Sequence, residues 1–381
     1  MTDTKRRTYV VRLLATASAV AFLVAGSVAA PSSTPPAQAA GCRIYVASGD
    51  DVTNGKELDD NAKRYPERLL EDHLGSPGWC VYNQGKNGVT SATYISGGSM
   101  SSAYNMRPDL HTIMLGEQNK PAVDLIDSCF SKVKDHQFAE AAACATAVYG
   151  NTSLWTNIKN NYTTLLATEK TMAAQRPGLV VGVVNYPNPY PRAVDVYGKI
   201  QQLCTPLIDT MPTCTVRWSQ LPAALTAIDQ AIAKLNTTIK ESLAPYQSGP
   251  GGWRYVYVDV APKFVDHCMS MKVQIKTTVE HPELMGQVHD HNSPTINFGC
   301  YDTWFVKGQT GYYPPTYLIP ATPGVLVNLS QTTEDMGVMP NADGHQCIAD
   351  AIWEADTIDP GTTPLKWKLG YGEASTTDYC N

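Results

Sequence analysis

Beyond residue 40 the chain has no apolar run that approaches the roughly eighteen residues needed to cross a bilayer, which argues against a membrane span in the mature protein. It has no CxxC pair, so neither a zinc ribbon nor a thioredoxin-type redox motif is indicated. Low-complexity tracts and internal repeats are also missing there, which sets aside linkers, solenoids and propellers. Basic residues are in short supply: 29 Lys and Arg stand against 35 Asp and Glu. Without residues 1–40 the balance is 25 against 34, a net charge of −9, so a polyanion such as nucleic acid is excluded as the natural partner. Phe is scarce, with 6 residues against 20 Tyr, so the chain's aromatic surface carries hydroxyls.

What is present begins with an export signal. Lys5, Arg6, Arg7 and Arg12 precede an apolar run from about Leu13 to Ala30, and Ala37-Gln38-Ala39 supplies the small-x-small pattern of a cleavage site. Residues 1–40 are therefore read as a signal peptide and 41–381 as one domain. Arg6-Arg7 loosely resembles a twin-arginine signal, but ten cysteines favour general secretion, because they would fold badly in a reducing cytosol. All ten lie after the signal, an even number that predicts a disulfide framework and an extracellular location. Sequence does not fix connectivity. Pairing neighbours would join Cys42 to Cys80, Cys129 to Cys144, Cys204 to Cys214, Cys268 to Cys300 and Cys347 to Cys380.

Short apolar runs alternate with helical periodicity, which predicts an α/β fold with a parallel sheet between helices. Candidate strands are Ile44 to Ala47, Trp79 to Tyr82, Thr112 to Leu115, Leu179 to Asn185 and Tyr255 to Val260. Leu221, Leu225, Ile228, Ile232, Leu235, Ile239 and Leu243 step by three and four, as do Leu154, Ile158, Tyr162, Leu165 and Leu166, so each set marks a helix face. Residues 342–354 read as a last helix. Two stretches, 186–216 and 269–335, fit no such pattern and are expected to be long, disulfide-braced loops.

Four blocks stand in order: Gly49-Asp50-Asp51-Val52-Thr53-Asn54-Gly55, Asn87-Gly88, Gly116-Glu117-Gln118-Asn119 and Pro340-Asn341-Ala342-Asp343-Gly344-His345. With them the chain resembles the SGNH (GDSL) hydrolases, and more narrowly their secreted, disulfide-bonded esterase and lipase branch. Cys129, Asn185-Tyr186-Pro187, and Val258-Asp259-Val260-Ala261-Pro262 leading to Phe264, His267 and Cys268 extend that resemblance over nearly the whole mature chain. The resemblance implies a doubly wound, flavodoxin-like SGNH sheet with ligands at the carboxyl ends of its strands. It also implies a nucleophilic serine, an oxyanion-hole glycine and asparagine, and a histidine often placed three residues after an aspartate. Only Gly88 matches. Asp51 holds the serine position, Gln118 the asparagine position, Met339 the histidine position and Met336 the position three before it; Asp335 is one residue too early. Losing any member of such a triad costs on the order of a thousandfold or more, so ordinary serine-esterase activity is not expected.

Several readings stay open. Asp51 is either a nucleophile in its own right, with His345 as the base for water, or the N-cap of the next helix. His345 is otherwise a structural histidine at a helix start. Asp50 and Asp51 together would suit a hard cation with Thr53 or Asn54, and His289 and His291 would share a metal if they stood on a strand; a solvated polar turn is the alternative. Tyr301, Trp304, Phe305, Tyr312, Tyr313 and Tyr317 form either a platform for sugars or acyl chains or the small core of their own loop. Asn151, Asn161, Asn236 and Asn328 head N-x-S/T sequons. No organic cofactor is implied and no metal is assigned. The functional expectation is an ester hydrolase with altered chemistry through Asp51, or a non-catalytic relative that binds a small-molecule ester, lipid, glycan or protein in the former cleft. Oligomeric state is not legible.

Overall fold

Apolar runs assemble the first sheet, and all its strands but the half-buried edge strand Trp79–Asn83 are buried on both faces. It contains β1 (Arg43–Gly49), β2 (Trp79–Asn83), β3 (Leu110–Met114), β4 (Val180–Val184) and β5 (Tyr255–Val258), all parallel, in the order β2-β1-β3-β4-β5. This is the flavodoxin-like doubly wound order, and its crevice lies outside the carboxyl ends of β1 and β3, where the order reverses. The register sets Ala47 opposite Asn83 and Thr112, and Gly49 opposite Met114. The protein is seen in a computed structural model that describes residues 41–115, 122–176, 178–207, 213–248, 251, 254–281, 287–305, 311–313, 325–333, 339–355 and 380. Gln38–Asn381 forms one compact unit.

Alternation in the central strands assigns their side chains to two layers. Tyr45 and Thr112 point the same way and share a hydrogen bond of 2.8 Å. That layer takes in Tyr65 of α2 (Tyr65–Arg68), whose path continues as a wider helical turn over Leu69–Leu74, and α11 (Ala342–Glu354) packs on α2. Ser48 and His111 face the other way, toward α4 (Ser99–Asn105) and α7 (Thr152–Ala174). The long helix α10 (Leu221–Gln247) packs on α7 and β5 with the predicted stripe inward: Leu221, Leu225, Ile228, Ile232, Leu235, Ile239 and Leu243 are all buried. α3 (Ser91–Ser96), α4 and α6 (Phe138–Tyr149) are helices that apolar periodicity does not single out, whereas α5 (Ala122–Lys134) buries a regular stripe of Ala122, Ile126, Cys129, Phe130 and Val133 that escaped the sequence reading. In α6 the reason is composition, since its alanines are apolar on every face.

Both supposed long loops contain regular structure. Residues 186–216 include α8 (Tyr197–Cys204) and the start of α9 (Cys214–Trp218), joined by a disulfide. Residues 269–335 build a second, antiparallel sheet. Its strands β6 (Lys272–His281), β7 (Gln287–Asn292), β8 (Ile296–Asn297), β9 (Gly311–Tyr313) and β10 (Val325–Thr333) run in the order β7-β6-β10-β9, with β8 also on β6. Polar residues alternate along these strands, and the Thr, Lys and Gln content hides them from an apolar-run search. The root of the second sheet is fixed by Trp218 stacking on Phe298, with ring centroids 5.3 Å apart.

The five disulfides join neighbours in sequence: Cys42–Cys80, Cys129–Cys144, Cys204–Cys214, Cys268–Cys300 and Cys347–Cys380. Loops of this length give about 3–4 kcal/mol each in a chain-entropy account. Among the described residues no helix is long and apolar enough to cross a membrane.

One glycine sets how closely the β1 and β2 loops approach. A Cβ on Gly85 would lie 2.4 Å from Asn54 N and 2.6 Å from Thr53 C, both backbone atoms that cannot step aside. Gly85→Ala is expected to cost about 2–3 kcal/mol through this clash, read as a lower urea midpoint at unchanged m-value.

Candidate functional site

The site is the turn from β1 into α1 (Asp51–Asn54). Gly49 is required there, because a Cβ would lie 2.0 Å from Thr53 Oγ1 and 2.5 Å from Met114 O. Asp50 and Asp51 follow, both fully buried. Asp50 is the helix cap: its Oδ1 accepts from Val52 N at 3.1 Å, and its Oδ2 accepts from the Tyr186 hydroxyl at the end of β4. The capping role thus falls to Asp50 and not to Asp51, whose side chain is turned outward to other elements.

Asp51 makes a different set of bonds. Its Oδ1 accepts from the Gly88 N–H at 2.7 Å and its Oδ2 from Lys56 Nζ at 2.7 Å. Gly88 sits at φ +75°, a left-handed conformation natural to glycine, and this aims its N–H into the site. Lys56 follows Gly55, which ends α1 at φ +66° and turns the chain back so that Lys56 N donates to Asp51 O at 3.0 Å. The β2 loop is pinned alongside by Asn83 Nδ2 to Thr53 O at 2.8 Å, Lys86 N to Gly49 O at 3.0 Å and Asn54 Nδ2 to Asn87 Oδ1 at 2.8 Å. Asp51 and Gly88 are therefore brought together, and the donor at the oxyanion-glycine position binds the carboxylate of the chain itself.

Of the remaining expected residues, the two that are described, Met339 and His345, do not join this pair. Gln118, Met336 and Asp335 lie outside the described residues. Met339 is buried before α11 and carries no titratable group. His345 is buried in the first turn of α11, where its Nδ1 accepts from Tyr65 N at 3.2 Å and its ring stacks on Tyr65. Burial, reinforced by the nearby Arg64 guanidinium, pushes its pKa down to about 3, so the imidazole is neutral. The Tyr65 hydroxyl meets Thr53 Oγ1 at 3.1 Å, so His345 reaches the site only through tyrosine.

The cation readings can also be placed. The bonds of Asp50 run to Val52 and Tyr186 while those of Asp51 run to Gly88 and Lys56, so the two carboxylates diverge and one meets an ammonium. His289 and His291 stand in β7, opposite Val279 and Thr277 of β6, in a sheet and not in a loop; their side chains lie outside the described residues. Among the described residues no group of three metal-binding side chains converges. Phe305 and Trp304 are buried against Phe264, which makes them core, whereas Tyr301 is 87% exposed. Tyr317 and the side chains of Tyr312 and Tyr313 are outside the described residues. Asn236 is buried and Asn151 caps α7, so two of the sequons serve the fold.

A second polar cluster escaped the sequence reading. Ser48 Oγ lies 2.9 Å from His111 Nε2, and His111 Nδ1 lies 3.3 Å from Glu169 Oε1 without hydrogen-bond alignment, while Glu169 Oε2 accepts from the Tyr104 hydroxyl. This is the connectivity of a Ser-His-acid triad, but all three are fully buried. Burial lowers His111 to about 3 and raises Glu169 well above the carboxylate range, so a neutral acid faces a neutral imidazole with no path for substrate. A signal for Glu169 existed: it continues the Tyr162, Leu165, Leu166 stripe of α7.

No family model and no curated protein matches the chain. Solved structures do. It is similar to a phospholipase A1 from Streptomyces albidoflavus NA297 (15% identity, TM-score 0.44, 82% of this chain and 99% of that one). It is also similar to an extracellular lipase from Streptomyces rimosus (14%, 0.42, 81% and 99%). A third is a member of the lipolytic G-D-S-L family from Veillonella parvula (10%, 0.35, 81% and 96%).

Two outcomes follow from the geometry. Lys56→Met leaves the buried Asp51 carboxylate without its cation and is expected to cost about 2 kcal/mol, moderated by the partial exposure of Lys56; a double-mutant cycle with Asp51→Asn should return a coupling of at least about 1 kcal/mol. Because His345 is held below its ordinary 6.5, the native state binds fewer protons than the unfolded chain. Stability should therefore be full above pH 6.5 and fall on acidification toward pH 3, by up to about 1.4 kcal/mol per pH unit from this one group. His345→Asn, which keeps an acceptor for Tyr65 N but does not titrate, should reduce the fall of the thermal midpoint between pH 6.5 and 5 without abolishing it, because buried His111 is depressed in the same direction.

Proposed function

We propose that this chain is a secreted protein of the SGNH (GDSL) esterase and lipase type whose catalytic corner has become a structural ion pair, so that it acts by binding a small ligand and not by turning over an ester. The observation that carries the reading is the double engagement of Asp51 by the Gly88 N–H and Lys56 Nζ, each at 2.7 Å. An oxyanion hole works by presenting unspent donors to charge that develops in the transition state. Here the donor at the glycine position is committed to a permanent carboxylate in the ground state. A carboxylate nucleophile would in turn have to surrender an ammonium and a backbone N–H before attack, and His345 is turned toward Tyr65 with its Nδ1 occupied.

The strand order, the ordered motif blocks and the position of Asp51 at the carboxyl end of β1 support the fold-family part of this reading. Residues 1–40, read as an export signal, and the five disulfides support an extracellular location.

The test is a panel of short- and medium-chain p-nitrophenyl esters offered to the oxidised mature protein, to Asp51→Asn and to Asp51→Ser. All three should run at the spontaneous rate, the serine variant included, because Met339 supplies no base. Turnover by the native protein that disappears in Asp51→Asn would establish carboxylate chemistry and overturn the proposal. Turnover equal in both would also overturn it, by locating an active centre elsewhere.

A further inference from the structure

A cavity of about 300 Å³ opens outside the carboxyl ends of β4 and β5, between the segment after β4, one face of α10 and the turn after β5. Its apolar lining is Ile232 and Ala233 from α10 with Ala261, Pro262, Phe264 and Val265 from the turn. Val265 is 38% exposed at this wall, and Ala233 and Pro262 are exposed as well. Apolar carbon is thus held open to solvent at the rim of a concave site, where binding would remove it from water.

Every polar side chain on the walls already has a partner within the protein. Asn236 accepts from Tyr186 N at 3.1 Å and donates to Tyr186 O at 2.8 Å. Asn188 accepts from Tyr190 N at 3.0 Å and donates to Asp229 at 2.7 Å, and the Tyr190 hydroxyl donates to Asp127 at 3.3 Å. Arg192 is paired with Asp266 at 3.0 Å. These bonds fix the walls, which lowers the ordering cost of binding, and they also leave the walls with little polar capacity to offer a guest.

The chemistry of the guest follows from what is committed. An anion would have to displace Asp266 from Arg192 and would meet the Asp229 carboxylate. A cation would have to displace Asn188 from Asp229 and would meet the Arg192 guanidinium. Either would exchange hydration for groups that are already satisfied, at a desolvation cost that nothing on the walls offsets. A sugar needs several hydrogen bonds and an open aromatic face, and Tyr190 and Phe264 are only 2% and 1% exposed. At the roughly 30 Å³ share of a liquid water, the space admits a body of about ten non-hydrogen atoms.

We infer that this cavity binds a small uncharged apolar molecule, of the hydrocarbon or single-hydroxyl alcohol class, seated against Ile232, Ala233, Pro262 and Val265. The inference rests on the binding reading above, whose ligand class it names, and it places that ligand apart from Asp51. The two places are linked through Tyr186, which Asn236 holds by its backbone and which donates to Asp50 through its hydroxyl.

Equilibrium dialysis of the oxidised mature protein against 1-octanol, octanoate and octylammonium tests it, because the three probes share one alkyl body and differ only in the charge of the head. Octanol should bind at least about tenfold more tightly than either ion, since only the ions lose charge hydration without compensation. Ala233→Trp, at an exposed position of α10, fills the chamber and should abolish octanol retention with an unchanged circular dichroism spectrum. Val265→Asp, at the exposed rim, puts a carboxylate on the apolar wall and should weaken octanol by about tenfold. Octanoate or octylammonium binding as tightly as octanol, octanol retention that survives both substitutions, or no retention of octanol at submillimolar concentration would each overturn the inference. Ester turnover with octanol still retained would remove the non-catalytic reading and leave the cavity; a flat ester panel without octanol retention would do the reverse, so the two failures are distinguishable.

Discussion

Two adjacent carboxylates are buried at the mouth of a parallel sheet, and the loops around them are arranged to make that burial tolerable. An isolated buried charge is worth many kcal/mol of penalty unless hydrogen bonds and an opposite charge replace the lost water. Asp50 is satisfied by Val52 N and the Tyr186 hydroxyl, Asp51 by Gly88 N and Lys56 Nζ. Those four donors come from α1, the end of β4, the β2 loop and the chain just past α1. One dipeptide therefore ties together three of the segments that border the crevice.

The same bonds decide what the crevice can do chemically. A hydrolytic centre keeps its donors unspent and its nucleophile next to a base, which stores electrostatic potential for the transition state. Here the donor at the glycine position and an ammonium are spent on the resting protein. The imidazole of α11 is spent as well: His345 accepts from Tyr65 N in a buried stack that secures α2 to α11. Groups that serve catalysis in a triad serve packing in this chain, and stability and reactivity draw on the same hydrogen bonds.

Elsewhere the interior tolerates polarity by neutralising it. His111 and Glu169 are driven by burial toward their uncharged forms, and they lie between Ser48 and Tyr104 in a sealed layer between sheet and helices. Triad-like connectivity without access or charge is an architectural feature, since catalysis also needs a substrate path and an acid that can stabilise an imidazolium. The five short-range disulfides each brace a segment near its own neighbours, and Cys129, Cys204, Cys214, Cys347 and Cys380 are themselves buried in the hydrophobic core.

The chain's sequence by itself determined the five parallel strands, the two long helices α7 and α10 and the last helix, because each depends on local patterns of apolar runs and three-and-four spacing; the even cysteine count announced a disulfide framework, and its connectivity was decided by the fold. It also located Asp51 and Gly88 as a pair by motif order. The second sheet was illegible because its strands are polar and alternate weakly, and the buried Glu169 was hidden as one acid within an apolar stripe. Which aspartate caps α1, that Lys56 closes on Asp51, and that His345 turns to Tyr65 were decided only by tertiary structure. Each is a contact between segments far apart in sequence or a matter of side-chain direction, and one-dimensional spacing carries no information on where a side chain's partner arrives from in space.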